Sequence, residues 1–407
     1  MKYLGSRLLK TNRLELRPQT MKEQYYLWQL IMNFEINQYY LTVPRKFREK
    51  LKIWETQEQY YIEEMKHAND KDTFKWSIYL KDTNQCIGRI TCHEARDEDN
   101  QINDPSIRGI GWFIDPKYQG MGYATEAASK MIDYMFNECE IKEIKTLAAV
   151  KNPSSWMLME KCGFIRKNET KLVEYTYLDE TVENYQYYLT KEMYKRKTLF
   201  ETVKTTEELF EFMEKNIKYG VIDKNGKYYD WNLDKFQEVC NHDWKFREGK
   251  EIATIGIGHC WDQTELERTW FKQNNYKIKT IFIFFEHNTK YPYGCHTYLI
   301  YKNKNNDKWY WFEHADNQNK GIHEFKNEEE AILAQMKTHI EYNKSLGFPM
   351  NEEVISWIRI YEFLPPEKGV NNQGYLKNIF SKNSIDITKE IVQYKNNQEK
   401  NFNSKRK

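Results

Sequence analysis

Two groups of residues in this chain have types and spacings suited to chemistry. The first is YQGMGYATEA, Tyr118 to Ala127, in which Gly120 and Gly122 stand between an apolar run and a helix-forming one. Glycine allows backbone conformations barred to other residues and lets a ligand approach the main chain. The free N–H groups at the start of a following helix point at an anion. A phosphate-bearing ligand suits such a turn, although glycine spacing alone also suits a tight strand-to-helix connection.

The second group is GHCWD at Gly258 to Asp262, followed by CHTYLIY at Cys295 to Tyr301 and KWYWFEH at Lys308 to His314. Cys260 follows Gly256 and Gly258 and heads an amphipathic run, a position where the helix dipole favours thiolate and the same amides can hold an oxyanion. His296 opens one strand and Glu313 closes the next. Across an antiparallel hairpin a carboxylate can fix the imidazole tautomer while the other ring nitrogen activates the thiol. Taken singly, a cysteine reads as a small buried hydrophobe, which is the reading for Cys86, Cys139 and Cys162. Cys295 reads as structural because its side chain leaves the strand on the face opposite His296.

Composition narrows the setting. The 62 Lys and Arg nearly balance 60 Asp and Glu, so no long-range field draws the chain to nucleic acid or to an anionic membrane. No apolar run approaches the roughly 18 residues of a membrane helix, and MKYLGSRLLKTNRLELRP lacks the apolar core of a secretory signal. A cytoplasmic protein is expected. Seven cysteines without CxxC spacing suit reduced thiols and predict neither disulfides nor a metal site.

Positioning these residues requires two α+β units. Residues 1–194 read as a mixed order: a strand at Leu14 to Pro18, helices at Met21 to Phe34 and Glu49 to His67, and a hairpin from TFKWSIYL and CIGRITCHEA. A strand at Ile110 to Pro116 follows, then a helix from Ala124, a strand at Lys142 to Val150, a short helix ended by Gly163 and a last strand at Tyr185 to Met193. The basic, aperiodic stretch 195–204 reads as a linker. Residues 205–380 open with a capping box, Thr205 and Glu208, on a helix with Gly220 as its stop. They continue through the Cys260 helix and three strands to helices at Glu328 to Ile340 and Glu352 to Phe363. The polar tail, 381–407, has little to bury. No internal repeat is present.

The glycine-rich turn fits the Gln/Arg-x-x-Gly-x-Gly/Ala pattern of the GNAT acyl-CoA N-acyltransferases, with Gln119, Gly122 and Ala124 in the fixed places. TNRLELRP, CIGRIT, IGWFIDPKYQGMGYATEA and NPSSWMLMEKCGF recur in that order in the branch that resembles ribosomal-protein alanine and related small-amine acetyltransferases. The resemblance implies a GNAT-like mixed sheet with helices on both faces and acetyl-CoA as donor. It implies that the backbone of Trp112, Phe113 and Ile114 holds the pantetheine arm. It further implies that the amides of Gln119, Gly120, Met121, Gly122, Tyr123 and Ala124 hold the pyrophosphate, and that Asn152 and Ser155 line the far side. The acceptor it implies is a primary amine, on a small molecule or a protein N-terminus. Two departures stand out: Gly109 replaces a glutamate common in relatives, and Met159 falls where other branches place a tyrosine acid. Glu94 and His93 remain as proton acceptors, with water-mediated transfer and plain solvated strand ends as alternatives.

The order Gly-x-Cys-Trp-Asp, His-x-x-x-x-Tyr, Trp-x-x-x-acid resembles the transglutaminase-like branch of papain-fold cysteine enzymes, with Cys260 as nucleophile, His296 as base and Glu313 where aspartate is usual. Asp316 is the alternative acid. This resemblance implies a second α+β domain acting on an amide or peptide substrate by hydrolysis or acyl transfer. Together the resemblances imply a bifunctional enzyme. The competing reading is an acetyltransferase, with antibiotics among its candidate substrates, whose C-terminal domain only binds substrate.

Overall fold

Alternation along KWSIYL decides how the first sheet is clothed. Trp76 meets Tyr134 edge-on, with ring centroids 6.0 Å apart, while Ser77 on the opposite face donates to Glu23 Oε1 at 2.7 Å. Successive strand residues face opposite ways, so the helices Tyr123–Asn137 and Met21–Met32 lie on opposite faces of this sheet. Glu23 is buried and closes a capping box with Thr20, which starts the second of these helices.

The computed structural model describes residues 1–39, 54–95, 102, 104–175, 180–224, 226–286 and 294–389. Two units emerge, Met1–Lys195 and Arg196–Lys407. In the first, eight strands follow the order β1-β2-β3-β4-β5-β6-β8-β7. They are β1 Leu9–Lys10, β2 Leu14–Pro18, β3 Lys75–Leu80, β4 Cys86–Glu94, β5 Ile107–Ile114, β6 Glu143–Ala149, β7 Ile165–Tyr175 and β8 Glu180–Thr190. Only β5 and β6 run parallel, and they pair for three residues, Ile107 to Gly109 against Glu143 to Lys145. Beyond Gly109 the β5–β6 pairing ends, which leaves Trp112 to Ile114 without a strand partner on the β6 side.

The second unit holds a five-stranded antiparallel sheet in the order β14-β13-β12-β11-β15: β11 Lys277–Phe285, β12 His296–Lys302, β13 Trp309–Glu313, β14 Gly321–Phe325 and β15 Ile358–Phe363. A two-stranded hairpin, β9 Val221–Ile222 with β10 Tyr228–Tyr229, precedes it. Strand β12 is apolar on both faces because both are covered. Tyr298 and Ile300 join Trp311, Met336 and Ile340 on one side, and Leu299 and Tyr301 join Leu266, Trp270 and Phe271 on the other. Phe271 is fully buried against Tyr301 and Phe312. Phe271→Ala is expected to cost about 3–5 kcal/mol, seen as a lowered melting transition of this unit in calorimetry.

Several expectations need correction. The strand expected to reach Met193 stops at Thr190, and a helix from Lys191 to Thr202 takes in residues 195–202 of the stretch read as an aperiodic linker, 195–204. The helix begun at Thr206 ends at Asn216, before Gly220. Gly220 is required instead because a Cβ there would meet the Tyr228 ring at 2.5 Å and the Tyr229 carbonyl at 2.6 Å. The helix expected over Glu352 to Phe363 lasts only to Ser356, and the rest is β15, paired along its length with β11. Strands β7 and β14 were not foreseen; both are edge strands without a clean apolar alternation, β7 exposed along much of its length and β14 half-buried. In the tail, Ile385 donates its N–H to the Ile360 carbonyl and Ile387 is buried in the core. Residues 49–53 of the expected second helix, and the tail from 390, lie outside the described residues.

Candidate functional sites

The first site forms where β5 ends. Its last residues pass through a short turn at Pro116–Tyr118 into Gly120, with φ of 75°, and Gly122, with φ of 80°, and then into the helix Tyr123–Asn137. Both glycines lie in the left-handed region that L side chains avoid. The amides of Gly120 through Thr125 find no acceptor among the described residues. A Cβ built on Gly120 would meet nothing within 4 Å. An open concavity of aligned N–H groups at a helix start is a cradle for a phosphate anion. Gln119 departs from the expected amide run, because its N–H donates to the Pro116 carbonyl at 3.3 Å and its side chain donates to the Ile114 carbonyl at 2.9 Å. The free run is displaced by one residue and reaches Thr125.

Arg13 is a residue the sequence reading passed over. Its Nη1 donates to the Met121 carbonyl at 3.0 Å, its Nε to Glu126 at 2.6 Å, and its guanidinium lies 4.5 Å from the Tyr123 ring centre. Arg13 thus ties β2 to the glycine-rich turn and brings a positive charge to its rim. The motif TNRLELRP contained the residue, but nothing local tied it to a turn more than a hundred positions away. Arg13→Ala is expected to weaken acetyl-CoA binding about tenfold, equivalent to one lost charge-assisted hydrogen bond; a calorimetric titration would check this.

Asn152 caps the helix Pro153–Cys162, accepting from the Ser155 amide at 3.3 Å. Met159 is buried in the core and carries no proton. The absence of glutamate at position 109 has a steric reason: a Cβ on Gly109 would lie 2.4 Å from His93 Nε2, its cross-strand neighbour. His93 occupies that space, with desolvation, Arg108 and Lys75 holding its imidazole below the usual range. Glu94 is half-buried and faces Arg108 at 3.8 Å.

The second site sits at the head of the helix Cys260–Gln273. His296 Nε2 and Glu313 Oε2 are 2.8 Å apart, both buried. With Nε2 so engaged, Nδ1 is the ring nitrogen left for Cys260, whose residue is 7% exposed. Burial opposes the thiolate, yet the His296 hydrogen bond and charge, with His259 behind, bring the thiol below its ordinary value. Burial also opposes a charged His296, but the Glu313 carboxylate and the thiol raise it well above the usual imidazole range. Glu313 accepts further from Trp311 Nε1 at 3.2 Å and from the Asp316 amide at 2.8 Å. Asp316 spends its own carboxylate on Gln318 and Asn319, so Glu313 faces the imidazole.

His314 does not compete for this role. Burial pushes it down to about 4, and it contacts Gln263 at 2.6 Å and Glu214 at 2.9 Å. Behind the thiol, Trp244 donates to Asp262 at 3.0 Å and Trp261 stacks on Tyr375 at 4.4 Å, which fixes the first turn of the helix. Cys295 is exposed. A cleft of about 300 Å³ lies beside Gln263, Tyr219, Tyr228 and Trp231.

An amide cradle at a helix start, beside a parallel strand pair that parts after three residues, suits a phosphate-bearing donor. Residues 13–165 match the family model of the acetyltransferase (GNAT) domain, and this region of the chain is a GNAT acetyltransferase domain, a family that takes acetyl-CoA as donor. Over 175 residues the chain is 27% identical to the uncharacterized N-acetyltransferase YoaA of Bacillus subtilis, covering 43% of this chain and 90% of that one. It is 37% identical over 62 residues to a spermidine N(1)-acetyltransferase of Vibrio cholerae, which spans 15% of this chain and 35% of the relative. A solved GNAT-family acetyltransferase from Bacillus anthracis is 23% identical, with a TM-score of 0.37 over 46% of this chain and 99% of its own. Each covers less than half of the chain, so the Cys260 unit stands on its own geometry. Among the described residues no helix is long and apolar enough to cross a membrane.

Proposed function

We propose that the chain is a bifunctional cytoplasmic enzyme. In its N-terminal unit an acetyl group passes from acetyl-CoA to a primary amine, and the observation that carries this is the free amide run from Gly120 to Thr125 inside a GNAT domain. The residues present fit the donor: the amides and Arg13 meet the pyrophosphate, and the strand edge at Trp112 to Ile114 meets the pantetheine arm, with the Ile114 carbonyl already accepting from the Gln119 side chain. Positioning the amine against the thioester supplies most of the rate. His93, neutral at physiological pH, takes the proton from the attacking amine, because Glu94 is committed to Arg108. The relative that acetylates spermidine supports a small polyamine as acceptor; a protein N-terminus is the alternative within the same chemistry. Calorimetry of the full chain with acetyl-CoA tests this half, and absence of binding overturns it.

In the C-terminal unit the function supported best is acyl transfer or amide hydrolysis through a thioester on Cys260, in the manner of transglutaminase-like cysteine enzymes. The carrying observation is the buried His296–Glu313 pair, 2.8 Å apart, together with the influence of His296 that lowers the Cys260 thiol. The thiolate attacks the amide carbonyl, and His296 returns a proton to the leaving amine. A thiol-reactive amide probe distinguishes this from a domain that only binds substrate: labelling of Cys260 that depends on His296 supports catalysis, and equal labelling of several thiols overturns it.

A further inference from the structure

Nearly every buried polar atom in a fold finds a partner, so one that does not calls for an explanation. The N-terminal unit holds such a group just past the end of β2. Gln19 is 3% exposed, and neither its Nε2 nor its Oε1 has a hydrogen-bond partner among the described residues.

Its backbone is held on both sides. Pro18 before it pairs with Trp76 on β3, and Thr20 after it closes the capping box of the helix Met21–Met32. The carboxamide therefore stands on a fixed stem. It lines a cavity of about 110 Å³ whose wall also takes in Glu64, Met65, His67, Thr73 and Lys75. The other polar side chains named there are engaged: Lys75 pairs with Glu64, the Thr73 hydroxyl donates to the His67 carbonyl at 2.9 Å, and His67 Nδ1 lies 2.8 Å from Asp70. Of these side chains Gln19 alone is unpaired. A further free acceptor belongs to Gln24, which touches the same wall. Its Nε2 donates to the Thr20 carbonyl at 2.9 Å and contacts the Met65 sulfur at 3.8 Å, while its buried Oε1 has no partner.

The chemistry of these atoms selects a ligand. Gln19 offers a donor and an acceptor side by side in one plane, which a second carboxamide meets with two parallel N–H···O bonds. One water cannot serve both in good geometry, and the cavity exceeds a water's share of liquid volume, about 30 Å³. A carboxylate brings no N–H, and an ammonium brings no acceptor. The charges on the wall, Glu64 and Lys75, are spent on each other, so a neutral group is favoured.

We propose that this cavity is a binding site for a primary carboxamide, paired in a ring with the Gln19 side chain and with its second N–H left for Gln24 Oε1. The wall shares no residue with the glycine-rich turn. Its size suits a free small amide or the end of an Asn or Gln side chain.

The test follows the Met65 methyl group by NMR in the full chain with isotope-labelled methionine methyls, its signal assigned from Met65→Leu. Propionamide, propionate and butanone are alike in size and differ in the polar group. Propionamide is expected to shift the Met65 signal saturably, with an affinity at least about tenfold above the other two, as the loss of one hydrogen bond predicts. Gln19→Met keeps the length and removes the amide. It should abolish that preference while acetyl-CoA binding is unchanged and the melting temperature does not fall, since no partnered group is lost. Equal affinities for the probes would mark an apolar hole, and an unmoved Met65 signal would mean that water alone satisfies Gln19; either overturns the proposal, as does a preference that survives Gln19→Met. If Gln19→Met melts early, Gln19→Glu, which keeps the shape and lacks the donor at neutral pH, repeats the comparison, and a preference retained there overturns the proposal. N-acetylglutamine methyl ester separates the two sources, either result upholding the carboxamide site: a shift matching that of propionamide assigns it to a protein side chain, and exclusion of the ester assigns it to a free small amide.

Discussion

Replacing His296 with alanine is expected to remove acyl transfer at Cys260 by at least about a thousandfold, as Cys260→Ala does, because the two act as one unit. The pH dependence carries more information than the loss. In the parent, iodoacetamide alkylation of Cys260 should follow the thiolate. Its pKa lies below the ordinary thiol value, since His296 and His259 outweigh burial, so alkylation persists below the ordinary thiol range and falls only as pH drops through that lowered value. His296→Ala removes the largest opposing influence and leaves burial to act. The midpoint should then move upward past the ordinary thiol value near 8.5. Glu313→Gln keeps the shape and loses the charge, so it should shift the profile in the same direction by a smaller amount. A profile that does not move in His296→Ala would mean that the imidazole does not set the state of the thiol.

The other large effect is expected at the glycine-rich turn. Gly120 has a φ of 75° and open space where a side chain would project. A Cβ there meets no neighbour within 4 Å, so the main stability cost of a valine is the left-handed backbone, about 1–2 kcal/mol. Its methyl groups would stand among the free amides, in the volume assigned to the pyrophosphate. Gly120→Val should therefore abolish measurable acetyl-CoA binding in calorimetry while lowering the melting temperature by only a few degrees. Retained affinity would place the pyrophosphate elsewhere. Gly122→Val makes a useful contrast, because its Cβ approaches Arg13 Nη2 at 3.4 Å and its φ of 80° sets the entry to the helix. There strain and ligand loss arrive together, so the separation between stability and binding seen at Gly120 should disappear.

How much of this was legible without coordinates depended on the range over which each feature is determined. The helices opened by Thr20 with Glu23 and by Thr205 with Glu208 were decided by residues three apart, and capping geometry follows from such spacing. The hairpin of β3 and β4 and the pairing of β12 with β13 followed from alternation and short turns. Edge strands β7 and β14 resisted because one-sided or polar strands lack the apolar period that marks a buried face. The segment Ile358–Phe363 misled for the opposite reason: a short apolar run suits a helix or a strand, and only pairing with β11 chooses between them. Gly109 could be noticed but not explained, since its cause is His93 on the neighbouring strand.

The chemistry divides along the same line. The sequence by itself determined which atoms are available: glycines with free amides ahead of a helix, a thiol at a helix start, an imidazole and a carboxylate on successive strands. These are local properties, set by residue type and by contacts a few positions apart. Tertiary structure decided which of them meet and in what state. It brought Arg13 to the Gly122 turn, gave His296 to Glu313 rather than Asp316, and sent His314 to Gln263. The physical reason is that charge state and hydrogen-bond partnership depend on burial and on separations of a few ångströms. Between residues tens to a hundred positions apart, only the packed fold fixes those distances.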